Sequence, residues 1–380
     1  MNLISPGINW IDWFAECSDR LSSKSAPDKR KAVATLVSRL AYKHPEQIGS
    51  DKAHSMRAYI LHEPSGEFER IEVADPIPGP NQVLVKICTS GVNPLDTKIR
   101  RGKAPHAKQQ LPAVLGLDMA GIVEEVGPAV TAFRPGDEVY GMVGGVGGLQ
   151  GTLAALIAVD ADLLARKPGN LSMREAAALP LVAITAWEGL VDRAKVLANQ
   201  TVLIHAGAGG VGHVAVQIAR AYGAKVFATV SADKKKIVEN FGAVPIDYRS
   251  STVDEYVATS TNQEGFDIVF DTVGGATLDA SFVAVKRYTG HVVSCLGWGT
   301  HSLDPLSFRG ATYSGVFTLL PLITGEGRAH HGEILAQIGV LVEAGKVKPL
   351  VSDQRFSTEE IAAAHGLVES GSLGKVVVDI

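Results

Sequence analysis

The sequence reads as an α/β protein in which a β-rich domain is divided around a doubly wound parallel sheet. Two contrasting textures along the chain and one glycine loop carry that expectation. From Met56 to about Met173, short β-branched runs are broken by Gly and Pro, as in a small barrel-like β domain. From about Ser172, strands and helices alternate, as a parallel sheet requires. Between the first strand and first helix of that second stretch lies Gly207-Ala208-Gly209-Gly210-Val211-Gly212.

In the first stretch, Val83–Ile87 and Gly121–Gly127 read as strands, and Phe133–Gly141 as a Pro-Gly turn feeding another. In the second, Thr201–His205 is a strand and Val211–Tyr222 a helix closed by Gly223. Lys225–Val230, Asp267–Asp271 and His291–Leu296 follow as strands, with a helix over Lys234–Asn240 stopped by Gly242. Beyond about Pro321, a helix (Glu333–Ala344) and a last strand (Lys375–Asp379) are expected to return to the first domain. The predicted organisation is thus residues 56–175 with 321–380, the insert at 176–320, and an extension at 1–55. That extension is expected to be non-catalytic, with a short helix at Arg30–Tyr42 where Val33, Leu36, Val37 and Leu40 recur at helical spacing.

Composition excludes several classes. The 380 residues exceed one ordinary domain, and 46% apolar with 20% charged residues is the balance of a globular protein. A net charge of −4 argues against a dedicated nucleic-acid surface. Three scattered cysteines, Cys17, Cys88 and Cys295, form no CxxC pair and suit a reducing compartment. No apolar run reaches the roughly 18–20 residues needed to cross a bilayer. The first residues lack the pattern of a signal or transit peptide, so a cytoplasmic location is expected.

The glycine loop gives the function class. Between a buried strand and a helix, Gly207 would permit the tight turn. Gly209 would admit a pyrophosphate, and Gly212 would allow close packing of helix and strand. Phosphates would then rest on the free N–H groups of a helix N-terminus, with Gly210 and Val211 in the same cradle. This is the Rossmann arrangement for a dinucleotide. An NAD-selective site places an acid about twenty residues on, to hold the ribose 2′-hydroxyl. Ser231 stands there instead, followed by Lys234, Lys235 and Lys236, and Lys235 is taken as the 2′-phosphate contact. NADP is favoured, although Asp233 in the same turn could fold back on the ribose. Tyr248 and Lys375 complete the candidate cofactor set.

Ser90-Gly91-Val92-Asn93-Pro94-Leu95-Asp96, Arg100-Arg101-Gly102 and Gly116-Leu117-Asp118-Met119-Ala120-Gly121 resemble the medium-chain dehydrogenase/reductase superfamily. So do Gly136-Asp137-Glu138-Val139, the glycine loop and Asp271-Thr272-Val273-Gly274-Gly275, in that order from Met56 to Ile380. The Gly-Val-Asn-Pro-x-Asp form resembles the zinc-free quinone oxidoreductases, the zeta-crystallin-like branch. The resemblance implies a GroES-like catalytic domain beside the Rossmann domain. It also implies Thr185 against the nicotinamide, and a cleft lined by Asn93, Asp96 and Lys98, the candidate catalytic residues. Asn93 could donate its amide to a carbonyl, but Asn93-Pro94 is also a good turn starter and Asp96 a good helix N-cap.

In zinc-containing relatives a cysteine, a histidine and a second cysteine hold the metal. Asn93, Leu117 and Leu181 stand at those positions, and none is a good zinc ligand. His301, His330 and His331 are scattered, the last two expected in a solvent-facing loop. Without a Lewis acid, reduction of an already electrophilic acceptor is the easier chemistry. The expected activity is NADPH-dependent reduction of a quinone or an α,β-unsaturated carbonyl. An enoyl-thioester or aldehyde reductase, and a non-catalytic NADPH-binding protein, are the alternatives. Many relatives carry tyrosine where Lys98 stands, and Ala-Glu-Tyr where Ala154-Ala155-Leu156 stands. Ala311–Phe317 reads as a late edge strand, and its pairing across a two-fold axis predicts a homodimer.

Overall fold

The computed structural model describes residues 55–380. The expected extension, with its helix at Arg30–Tyr42, lies outside the described residues apart from Ser55, which opens the first strand.

The β-rich part comprises β1 (Ser55–Leu61), β2 (Phe68–Ala74), β3 (Gln82–Val92), β4 (Ala113–Val114), β5 (Asp118–Val126), β6 (Glu138–Met142), β7 (Leu156–Asp160) and β8 (Leu164–Arg166). β1 pairs with β2 and β4 in one sheet. β3 runs through the other, against β5 on one side and β7 on the other. Alternate residues Val83, Val85 and Ile87 are buried, the period of a strand with one face on the core. The last strand, β15 (Val376–Asp379), returns from the far end of the chain to pair antiparallel with β3, Val376 opposite Val92. That pairing brings Lys375 beside Asn93.

The second part contains β9 (Thr201–Ile204), β10 (Lys225–Val230), β11 (Val244–Asp247), β12 (Ile268–Asp271), β13 (His291–Ser294) and β14 (Thr312–Gly315). They form one parallel sheet in the order β11-β10-β9-β12-β13-β14. Chain order reverses between β9 and β12, so the crevice at their carboxyl ends is a topological switch point, where such sheets bind ligands. Val202, Leu203 and Ile204 are fully buried, as a strand covered on both faces must be. The helix Gly210–Ala221 buries most of its length and ends at Gly223, whose φ of +85° reverses the chain.

Two readings need correction. The late helix spans Arg328–Glu343, starting before the expected Glu333. Arg328 anchors that earlier start: its guanidinium bonds the Pro321 and Leu322 carbonyls and Asp160. His330 and His331 therefore lie in a helical turn and not in a loop. His331 is buried near Glu188, whereas His330 bonds Asp192 and Glu333.

Candidate active site

Two hollows meet at the N-terminus of the helix Gly210–Ala221. One, of about 400 Å³, is lined by Asn93, Lys98, His106, Thr185, Phe317 and Lys375, among others. The other, of about 740 Å³, is lined by Ser231, Lys234, Tyr248 and Tyr256, with no carboxylate. Both share Ala206 and Gly209.

The loop between them is shaped by sterics. A Cβ on Gly212 would lie 2.1 Å from the Ala206 carbonyl oxygen, so the helix could not sit so close to the turn. The same atom on Gly207 would lie 2.5 Å from the Ala228 Cβ on β10. Gly207 therefore serves close packing on the neighbouring strand; the left-handed residue of the turn is Ala206, at φ +52°. No side chain caps the helix that follows. Its first N–H groups, together with the positive end of the helix dipole, are thus free to take a phosphate. These residues fit a dinucleotide, and the free N–H groups of the helix N-terminus would hold its pyrophosphate.

Within the second hollow, Lys234 lines the wall where Lys235 was expected. Lys235 opens the helix Lys235–Asn240 and its ammonium lies 3.7 Å from Asp247. Ser231, at the end of β10, takes Asp233 as a hydrogen-bond partner, which holds that carboxyl below its ordinary range. Tyr248 is more than half exposed at the rim, a flat surface for an aromatic base.

At the floor of the first hollow lies a buried polar network. Asn93 Nδ2 donates to Asp118 at 2.9 Å, and Asn93 Oδ1 accepts from Lys375 Nζ, which also donates to the Val92 carbonyl. The other Asp118 oxygen accepts from Leu181 N–H at 3.0 Å. Asp96 accepts from the Asn93 N–H at 2.8 Å, while its Oδ1 has no partner. Burial raises Asp96 to about 7 and Asp118 to about 6, with Lys375 opposing both shifts; burial lowers the Lys375 ammonium in turn. Asn93, expected to offer its amide to a substrate, is fully buried and holds these charges together. Asn93, not Asp96, is the helix N-cap, with Asp96 three residues on, folding back to it. Lys375, expected to contact the cofactor, has its ammonium in this network.

The network also tests the fit of a zinc ion. Asn93 carries an amide already bonded on both sides, Leu117 is fully buried in the core, and Leu181 offers a bare isobutyl group. These side chains do not fit the metal. Among the described residues, no group of three His, Cys, Asp or Glu side chains is placed to hold one.

Thr185 is buried, and its hydroxyl donates to the Leu181 carbonyl at 2.7 Å. Its 2.9 Å contact with Thr318 must then be donated by Thr318. Among the described residues, His106, Lys98 and the Trp298 indole N–H face the cleft without a hydrogen-bond partner. His106 packs between Trp298 and Phe317, at centroid distances of 5.2 and 6.3 Å. Burial and the nearby Lys98 lower its pKa, so it is neutral near pH 7. This aromatic wall escaped the sequence reading, because its members come from a 3-10 turn after Pro105 and from loops following β13 and β14. Asp271, in a motif singled out from sequence, is fully buried and accepts from Val273 N, Gly274 N and Ser294 Oγ, which fixes the turn under the cleft.

Residues 79–169 match the alcohol dehydrogenase GroES-like domain, and residues 241–378 match a family described as zinc-binding dehydrogenase. A chloroplastic NADPH-dependent alkenal/one oxidoreductase of Arabidopsis thaliana is 36% identical over 307 residues, covering 78% of this chain and 72% of that protein. The chain belongs to the medium-chain dehydrogenase/reductase superfamily. A 2-methylene-furan-3-one reductase of Solanum lycopersicum is similar to the same extent, 36% identical over 78% of this chain and 71% of its own. The crystal structure of an alcohol dehydrogenase superfamily protein from Novosphingobium aromaticivorans is 56% identical, with a TM-score of 0.84 over 86% of this chain and 99% of that one. The fold is that of the superfamily: a GroES-like β-rich domain and a Rossmann-type parallel sheet. No described helix is long and apolar enough to cross a membrane.

Proposed function

We propose that this oxidoreductase is a zinc-independent, NADPH-dependent reductase of α,β-unsaturated carbonyls or quinones. One observation carries the reading. The cleft beside the dinucleotide cradle is aromatic and apolar, and an amide, not a metal ligand, occupies its floor. NADPH, when bound, supplies a hydride. Lys234 and Ser231 favour the 2′-phosphate form, because no carboxylate lines that hollow to take a ribose hydroxyl. Thr185 and the Thr318 hydroxyl fix the wall behind the nicotinamide position, with their protons committed to each other and to Leu181. The His106 imidazole then remains to donate to the oxygen on which negative charge develops. The relatives named for alkenals and enones support an enone over an alcohol substrate.

We include a homodimer paired along β14 in this reading, since β14 pairs with β13 alone among the described strands. A cytoplasmic location belongs to it as well. The test follows NADPH absorbance with quinones, enones, enoyl thioesters and aldehydes side by side, with and without a chelator. Consumption with enones or quinones, unchanged by chelation, is expected. Preference for enoyl thioesters or aldehydes would move the substrate assignment. Bound NADPH with no turnover on any of them would make the chain a binding protein.

A further inference from the structure

The first hollow is unbalanced in charge. Lys98 faces it from the short helix Pro94–Arg100, and no Asp or Glu side chain is among the residues that line it. The neighbouring cation Arg101 is held by Glu369, whereas Lys98 forms no ion pair with any described residue. Across the His106–Trp298–Phe317 wall a third hollow of about 570 Å³ carries Lys108, again with no carboxylate in its lining. Two unmatched ammonium groups therefore flank the aromatic platform on which a flat acceptor would lie. An exposed lysine with no duty is commonplace, but one aimed into a substrate cleft sets a field there.

We infer that the acceptor carries an anionic group, a carboxylate attached to the enone, and that Lys98 binds it. This rests on the enone reading above and specifies its substrate class. His106 takes the ketone oxygen, and Lys98 takes the carboxylate at the other end of the conjugated system. The carbon β to the ketone gains the hydride and the α carbon a proton from water, leaving a saturated keto acid and oxidised cofactor. Lys98 is a specificity residue in this scheme: it fixes which acceptor stays in place, and the bond changes do not pass through it.

A matched pair of acceptors tests it on the full-length protein with NADPH: (E)-3-penten-2-one and (E)-4-oxopent-2-enoate, which differ by a methyl and a carboxylate. The parent protein should prefer the acid, with a KM for it that rises as NaCl is added. Lys98→Gln should lower the acid-to-neutral ratio of kcat/KM by about tenfold, the effect of one charge-assisted hydrogen bond. Lys98→Arg should keep most of the ratio, and Lys103→Gln, on the same segment but outside the cleft, all of it. An unchanged ratio in Lys98→Gln, or a salt-independent KM, overturns the inference. Reduction of the neutral enone with the acid inert overturns it while the enone reading stands; reduction of neither overturns both.

Discussion

Four side chains at or near the site each offer a measurement, of bond-making, of cofactor binding or of stability. His106 faces the cleft with no hydrogen-bond partner among the described residues, so His106→Ala should lower kcat on an enone by about 10²-fold. NADPH binding, followed by fluorescence, should be almost unaffected; equal losses in both would place His106 at the cofactor. Lys234 and Lys235 are adjacent in sequence but differ in surroundings. Lys234→Ala should raise the KM for NADPH about tenfold with little change for NADH, while Lys235→Ala should do neither. The reverse pattern would restore the choice made from sequence. Lys375 is the lone cation of a buried network with two carboxylates. Lys375→Met leaves those charges unopposed and should cost about 3–5 kcal/mol in denaturant unfolding, as removal of one buried partner commonly does.

The same network gives the elements around it a pH dependence. Asp96 and Asp118 are raised by burial to about 7 and about 6. Each binds its proton more tightly in the folded chain than in the unfolded, so unfolding releases protons across that window. Their contribution therefore favours the fold below the ordinary carboxylate range and is lost as pH rises towards 7. Asp96→Asn cannot ionise, and its stability relative to the parent should improve between pH 4 and 7, by roughly 1–3 kcal/mol. A difference that stays flat with pH would mean Asp96 is charged at no cost. The junction of β9 with its helix is controlled by shape instead. Gly212→Val would drive a side chain into the Ala206 carbonyl, so both cofactor affinity and thermal stability should fall together.

For the whole molecule, the open edge of the parallel sheet is the feature to test. Thr312 N–H donates to the Gly290 carbonyl just before β13 at 3.0 Å and Val316 N–H to Ser294 of β13 at 2.9 Å, so the intervening Tyr313 N–H points to the open side. Tyr313→Pro removes that outward donor and leaves the ladder to β13 in place. It should convert a dimer to monomers on sizing, while Tyr313→Ala, which loses only the side chain, should remain dimeric. Val316, the more obvious choice from its position in the run, is buried against the cleft. A charge there would damage the site whatever the assembly state. A stable wild-type monomer at micromolar concentration would show that the edge is protected another way.

What the sequence determined by itself is local and periodic. The Thr201–His205 run, the glycine loop and Gly223 specify a strand, a turn and a helix within about twenty residues, so the dinucleotide cradle was legible before any fold was known. The motif around Asn93 likewise lies at the floor of the cleft, and Leu117 and Leu181 carry no metal-ligating group. What the tertiary structure alone decided is which side chains meet across long separations. β15 lies beside β3 because their backbones pair in an antiparallel ladder, and only that pairing puts the Lys375 ammonium on Asn93. It turns a presumed substrate donor into the keystone of a charge network. His106, Trp298 and Phe317 belong to three separate loops, and nothing in their neighbours along the chain hints at a shared wall. Lys234 and Lys235 share one charge and one neighbourhood in sequence. The helix that starts at Lys235 turns one to the cavity and the other to Asp247, because successive side chains on a helical turn point about 100° apart.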